Sequence, residues 1–178
     1  VDDSVVIVDI DETSLTAEGR WPWSRDKLAH LLDRLFQQYK IKLVGFDIVF
    51  AEPDESSGLK TLERLAKNDL AGNQDFVNRL DVIRPQLDYD GIFAETMQKY
   101  NVVLGYYFSS GNTDEHAGGA LPPASLPAGT FQGRSIAFST WAGFGANLSA
   151  LQNAAVAGGH FNPQVDPDGV TRRVPLLV

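Results

Sequence analysis

Apolar positions change period along the chain in a way that marks its elements. Val5 to Ile10 is a β-branched apolar run closing on Asp9 and Asp11, the pattern of a buried strand whose end reaches a surface. Glu12 to Trp23 holds Gly19, Pro22 and two tryptophans and reads as a loop. From Arg25 onward Leu28, Leu31, Leu32, Leu35, Phe36 and Tyr39 recur at three and four, which predicts a helix with Ser24 as its N-cap. Leu43 to Phe50 is a second apolar run. With the first strand and this helix it predicts a right-handed βαβ unit.

Leu59 to Leu70 has weaker helical spacing. Gln74 to Tyr100 is helical at Phe76, Leu80, Ile83 and Leu87, then at Ile92, Phe93, Met97 and Tyr100, with a kink or break expected at Pro85. Val102 to Phe108 is a third core strand, and Ser109 to Gly133 is a Gly/Pro/Ser-rich excursion. Leu148 to Ala155 predicts a short helix and His160 to Asn162 an extended segment. Val165-Asp166-Pro167-Asp168-Gly169 carries turn chemistry, and Val170, Arg172, Val174 and Leu176 alternate beyond it. The expected fold is α/β: a mixed sheet in a two- or three-layer arrangement, with an N-terminal βαβ unit and a C-terminal antiparallel hairpin, forming one domain over residues 1–178.

A chain of 178 residues is long enough for a hydrophobic core. Its net charge of -8 argues against a nucleic-acid partner, which calls for clustered cations. The absence of cysteine excludes disulfides and thiolate chemistry. No run approaches the length of a membrane span, yet the chain opens close to one apolar strand and closes in the run Val174 to Val178. The expectation is a portion of a longer protein.

Five carboxylates stand at strand ends or turns: Asp9, Asp11, Asp47, Asp166 and Asp168. Grouped at the carboxyl ends of parallel strands they would suit a hard cation or a basic ligand. Dispersed, they would cap helices, satisfy loop amides and pair with Arg20, Arg25, Arg172 and Arg173. Asp9-Ile10-Asp11-Glu12-Thr13 resembles the nucleophile motif of haloacid-dehalogenase-type phosphatases, which implies an attacking Asp9, an acid-base Asp11 and Mg²⁺. The downstream hydroxyl, lysine and acidic pair of that chemistry have no counterpart in frame. His30, His116 and His160 are scattered and lack zinc spacing. Trp21 and Trp23 flank Pro22 directly before Arg25, either clamping the loop onto the helix or lining a pocket with Arg25 as ligand partner.

Several segments taken together resemble the type-two CHASE family of extracellular sensory domains. They are Val6 to Asp11 with Ser14-Leu15; Gly19-Arg20-Trp21-Pro22-Trp23-Ser24-Arg25; Val44 to Phe50 with Glu52 and Asp54; Gly159 to Asn162; Asp166 to Val170; and Arg172 to Leu176. The resemblance implies a non-enzymatic, periplasmic or extracellular stimulus-sensing domain without a cofactor. It further implies attachment to the receptor's own transmembrane helices, a cytoplasmic output module such as a cyclase, a histidine kinase or a Ser/Thr kinase, and homodimers in the full receptor. It fixes no stimulus, whether small molecule or protein. Asp9, Asp11, Trp21, Trp23, Arg25, Asp47, Asp168 and Arg172 are the candidate ligand contacts.

Overall fold

The structure, a computed structural model, describes residues 4–110, 117–136 and 138–176. His116 and the last two residues of the apolar closing run lie outside them.

The longest strand, β2 (Val102–Ser109), is the axis of the fold. Its first half lies between two parallel neighbours, β1 (Val44–Phe46) and β5 (Ala157–His160). Its last three residues pair antiparallel with β4 (Gly143–Gly145), which pairs parallel with β3 (Ala117–Gly118). The sheet is therefore mixed, and the fold is α/β as expected. The parallel β1 and β2 are joined through three helices, α3 (Leu59–Lys67), α4 (Gln74–Leu87) and α5 (Tyr89–Met97), and β5 is reached through α6 (Ser149–Ala154).

Alternation along β2 buries Val102 and Leu104 under helices. They meet Leu28 and Leu32 of α2 (Arg25–Gln37), Phe93 and Met97 of α5, and Leu151 of α6. Phe46, Phe50 and Phe93 interlock edge to face at 5.4–6.0 Å between ring centres. Each fully buried side chain of this size contributes roughly 1.5–3 kcal/mol over the exposed state. Residues of α2, α5 and α6 cover this face, whereas on the opposite face a Cβ at Gly45 or Gly159 would meet no atom within 4 Å.

Two carbonyl rows leave β2. Odd residues face the β1 and β4 edge, since Asn101 accepts from Val44 N and Ser109 from Ala142 N; even residues face β5, since Val102 accepts from Val156 N and Tyr106 from Phe161 N. Side-chain amides fill the gaps in both rows. Asn147, fully buried, lies between β1 and β4: its Nδ2 donates to Gly105 O at 3.0 Å and its Oδ1 accepts from Phe50 N at 2.8 Å. Beyond β5, Asn162 Oδ1 accepts from Phe108 N and its Nδ2 donates to Phe108 O, both at 2.7 Å, imitating one more strand residue. Asn162→Ala is expected to lower unfolding stability by about 1–2 kcal/mol. Amide exchange at Phe108 should quicken selectively; equal exchange in both proteins would refute the splice.

The expected βαβ unit at the N-terminus is not formed. Val5 to Val8 are 60–90% exposed and pair with no strand among the described residues. A β-branched run favours extended backbone, but pairing also requires an edge and a covered face, which the local pattern does not supply. The expected loop over Glu12 to Trp23 begins instead with a helix, α1 (Glu12–Glu18), capped by Asp11 and ended by Gly19 at φ 92°. Pro85 lies inside α4 without breaking it. The break falls at Asp88, whose carboxylate caps α5 through Gly91 N at 3.0 Å. The second expected strand is also cut short, to three residues. Finally, β6 (Gln164–Val165) and β7 (Thr171–Arg173) form a separate two-stranded antiparallel sheet outside the main one.

Candidate functional site

The residues singled out in the sequence separate into three places. Asp9 and Asp47 are exposed. Asp11 is exposed too, and its Oδ1 accepts from Ser14 N and Ser14 Oγ, both at 2.8 Å, which lowers its pKa. The carboxylate meant for phosphoryl chemistry is thus a helix cap. Among the described residues no group of three His, Asp or Glu is placed to hold a metal ion.

Asp168 and Arg172 are brought together at the far end of the chain. Arg172 forks onto Asp168, with Nη1 to Oδ1 and Nη2 to Oδ2 both at 2.9 Å, and Nη1 also reaches Asp166 Oδ2 at 3.0 Å. Arg173 reaches Asp166 Oδ1 at 3.2 Å. Asp168 is held below its ordinary pKa by Arg172, and Arg172 above its own by Asp168 and Asp166. These charges neutralise one another around the turn at Gly169, whose φ is 80°.

The third place surrounds the start of α2, where the Trp-Pro-Trp segment arrives through a cis Trp21-Pro22 bond. Trp23 donates its indole N–H to Gly19 O at 2.9 Å and meets Trp21 edge to face at 6.0 Å. Lys27 Nζ donates to Glu18 O at 2.6 Å, pairs with the Glu18 carboxylate at 3.1 Å and lies 5.7 Å from the Trp23 ring centre. A cation thereby terminates α1 and ties it to α2. Trp23 continues inward to the core, whereas Trp21 is 38% exposed.

One step further Arg25 is 9% exposed, with its guanidinium 4.5 Å above the Phe50 ring. Its Nη2 donates to Glu52 O at 3.4 Å, and its Nε stands 3.6 Å from Asp90 Oδ1 on α5. Ser24 occupies the N-cap position of α2 but makes no capping bond; Asp54 Oδ2 accepts the Arg25 amide instead, at 2.6 Å. Asp54 in turn donates its own amide to Asp90 Oδ2 at 2.8 Å. Arg25, Asp54 and Asp90 therefore fasten three segments to one point: the entry to α2, the connector after β1 and the start of α5. Asp90 was not legible from sequence because it lies far along the chain within ordinary helical spacing.

The electrostatics of this junction are divided. Burial lowers the Arg25 pKa, against the pull of Asp90 and Asp54. Burial pushes against the Asp54 charge, but hydrogen bonds from Ser56 and the Arg25 amide outweigh it and hold Asp54 below 3.8. Burial wins at Asp90, raising it above 3.8 despite the Asp54 amide and Arg25. A carboxyl raised in the folded state contributes stability that is fully present below 3.8 and is lost as pH rises through the raised value. Asp90→Asn is neutral throughout, so it is expected to gain stability relative to the native chain as pH rises from below 3.8 through the raised Asp90 value. Urea titrations at several pH values check this, and parallel profiles would contradict it.

A fourth group, at the carboxyl end of the parallel strands, is one that sequence reasoning missed. Tyr106, Phe108, Trp141 and His160 gather there, and Trp141 Nε1 and His160 Nδ1 are enclosed without a hydrogen-bond partner among the described residues. Nothing local sets His160 apart from the other scattered histidines, and the Trp141 contribution requires the β2 and β4 pairing.

A family model described as CHASE2 domain matches residues 1–178, the whole chain. Neither a curated protein nor a solved structure matches it.

Proposed function

The chain belongs to the CHASE2 domain family of extracellular sensory domains of signalling receptors, and from that membership we propose that it is the stimulus-sensing domain of a bacterial transmembrane receptor. It lies on the periplasmic or extracellular face, joined to the receptor's own membrane helices and, through them, to a cytoplasmic cyclase or kinase output. In the full receptor it works as a homodimer. No helix among the described residues is long and apolar enough to cross a membrane.

The observation that carries this reading is the Arg25 junction. The motif residues Arg25 and Asp54 are bonded to each other and to Asp90, inside the fold, and the carboxylate of Asp11 caps the start of a helix. Such an arrangement suits transmission of a displacement better than bond-breaking chemistry. A shift of the Trp21 to Ser24 segment must move the start of α2, the connector at Asp54 and the start of α5 together, because packed interiors yield by discrete rearrangement. A stimulus that favours one of two such arrangements biases whatever the domain is attached to.

The test is made in the intact receptor. Excising residues 1–178 while keeping the membrane helices in register is expected to abolish regulation of the output and leave its catalytic module active. Regulation that survives the excision would overturn the reading.

A further inference from the structure

The cluster at the carboxyl end of β2 has the chemistry of a ligand site. Tyr106 and Phe108 point to the helix side of the sheet, 5.5 Å apart between ring centres. His160, paired in register with Tyr106, closes on both rings at 6.3 and 5.9 Å. Trp141, brought in by the segment leading to β4, lies nearly parallel to Phe108, 19° between planes and 6.4 Å between centres. Crevices at the carboxyl ends of parallel strands are where open α/β sheets take their ligands.

Two polar atoms set the chemistry. Trp141 Nε1 and His160 Nδ1 are shielded by the surrounding protein, and neither has a hydrogen-bond partner among the described residues. An enclosed polar atom left without a partner is costly, so two such atoms, each on a ring packed against Phe108, favour a molecule able to satisfy them. Indole only donates, whereas the imidazole nitrogen donates or accepts according to tautomer. The occupant must therefore carry an acceptor. Its remaining surface meets aromatic walls, which favour a planar ring. None of the four side chains carries a carboxylate, ammonium or guanidinium, and a chain of net charge -8 repels anions. Burial keeps the Tyr106 phenol protonated to higher pH than usual.

We propose that Tyr106, Phe108, Trp141 and His160 form a binding site for a small neutral aromatic or heteroaromatic molecule bearing a carbonyl or ring-nitrogen acceptor. The site deepens the sensory reading by naming a ligand class and rests on that reading for its biological use. Its existence is tested separately, on the chain alone, so failure here leaves the receptor proposal to its own output measurement.

Benzamide serves as the probe in ¹H–¹⁵N spectra, with the Trp141 indole resonance assigned by Trp141→Phe. Benzamide is expected to move that resonance saturably, and His160→Ala and Phe108→Leu should each weaken the apparent affinity roughly tenfold. Well-dispersed spectra of both variants establish that they fold. Benzoate tests the preference for a neutral ligand and cyclohexanecarboxamide the need for a ring; both should bind more weakly. An indole resonance that does not saturate, or one that responds equally to the saturated amide, overturns the site. Tighter binding of benzoate than of benzamide overturns the neutral assignment.

Discussion

Arg25→Leu is expected to lower the unfolding free energy by about 3 kcal/mol at neutral pH, because removing one member of a buried ion pair strands the others. Leucine retains a contact with the Phe50 ring. What it cannot replace is the positive charge beside Asp90 and Asp54, or the donor to Glu52 O. The loss should shrink as pH falls toward 3.8 through the raised Asp90 value, since the stranded Asp90 escapes its penalty by taking a proton. Urea unfolding reads both effects through the midpoint, with an unchanged slope showing that the folded state is the same size. A loss under about 1 kcal/mol would mean that Arg25 behaves as an exposed ion pair does.

Asn147→Ala is expected to cost about 3 kcal/mol, combining two orphaned backbone groups with a small cavity. The native amide accepts from Phe50 N, donates to Gly105 O and reaches Gln152 Oε1 at 3.2 Å. The backbone on either side of it is engaged as well: Leu148 N donates to Phe50 O at 2.8 Å, and Asn147 O accepts from Ala120 N at 2.8 Å. Removing the side chain leaves the Phe50 amide and the Gly105 carbonyl buried where neither β1 nor β4 reaches. Asn147→Asp keeps the acceptor but loses the donor, so it should protect the Phe50 amide from exchange better than alanine does. Equal exchange in the two variants would show that the side-chain acceptor is not what holds that amide.

The parts of the fold legible in the sequence are those where a local pattern and a tertiary partner agree. Leu28 and Leu32 recur at helical spacing and are among the buried residues of α2, and the run from Val102 supplies the central strand. The first apolar run shows the limit of such reading. Val5 to Val8 have strand composition but no paired edge among the described residues, since composition does not encode which edge is available. Short β3 and β4 escaped notice for the opposite reason. Ala117-Gly118 and Gly143-Phe144-Gly145 are too small to carry a period, and their pairing is set by β2.

The site was legible to a similar degree. Arg25, Trp23 and Asp54 stood in recognisable motifs, and the structure joins Arg25 to Asp54. Asp90, which completes that junction, sits 65 positions beyond Arg25 with nothing local to distinguish it from other helix-capping acids. Asp168 and Arg172 are candidate ligand contacts by sequence, and the structure pairs each with the other. Separation along the chain hides a contact, and a nearby opposite charge hides a self-paired one.

The junction implies that the Trp-Pro-Trp segment and α5 respond as a unit, and a double-mutant cycle measures this directly. Stabilities of the native chain, Arg25→Leu, Asp90→Asn and the double variant at pH 7 give the coupling between the two side chains. A coupling of at least about 1 kcal/mol is expected, with Arg25→Leu less costly once Asp90 is neutral. Losses that add to within about 0.5 kcal/mol would contradict the account, because independent residues cannot bind α2 and α5 into one moving part.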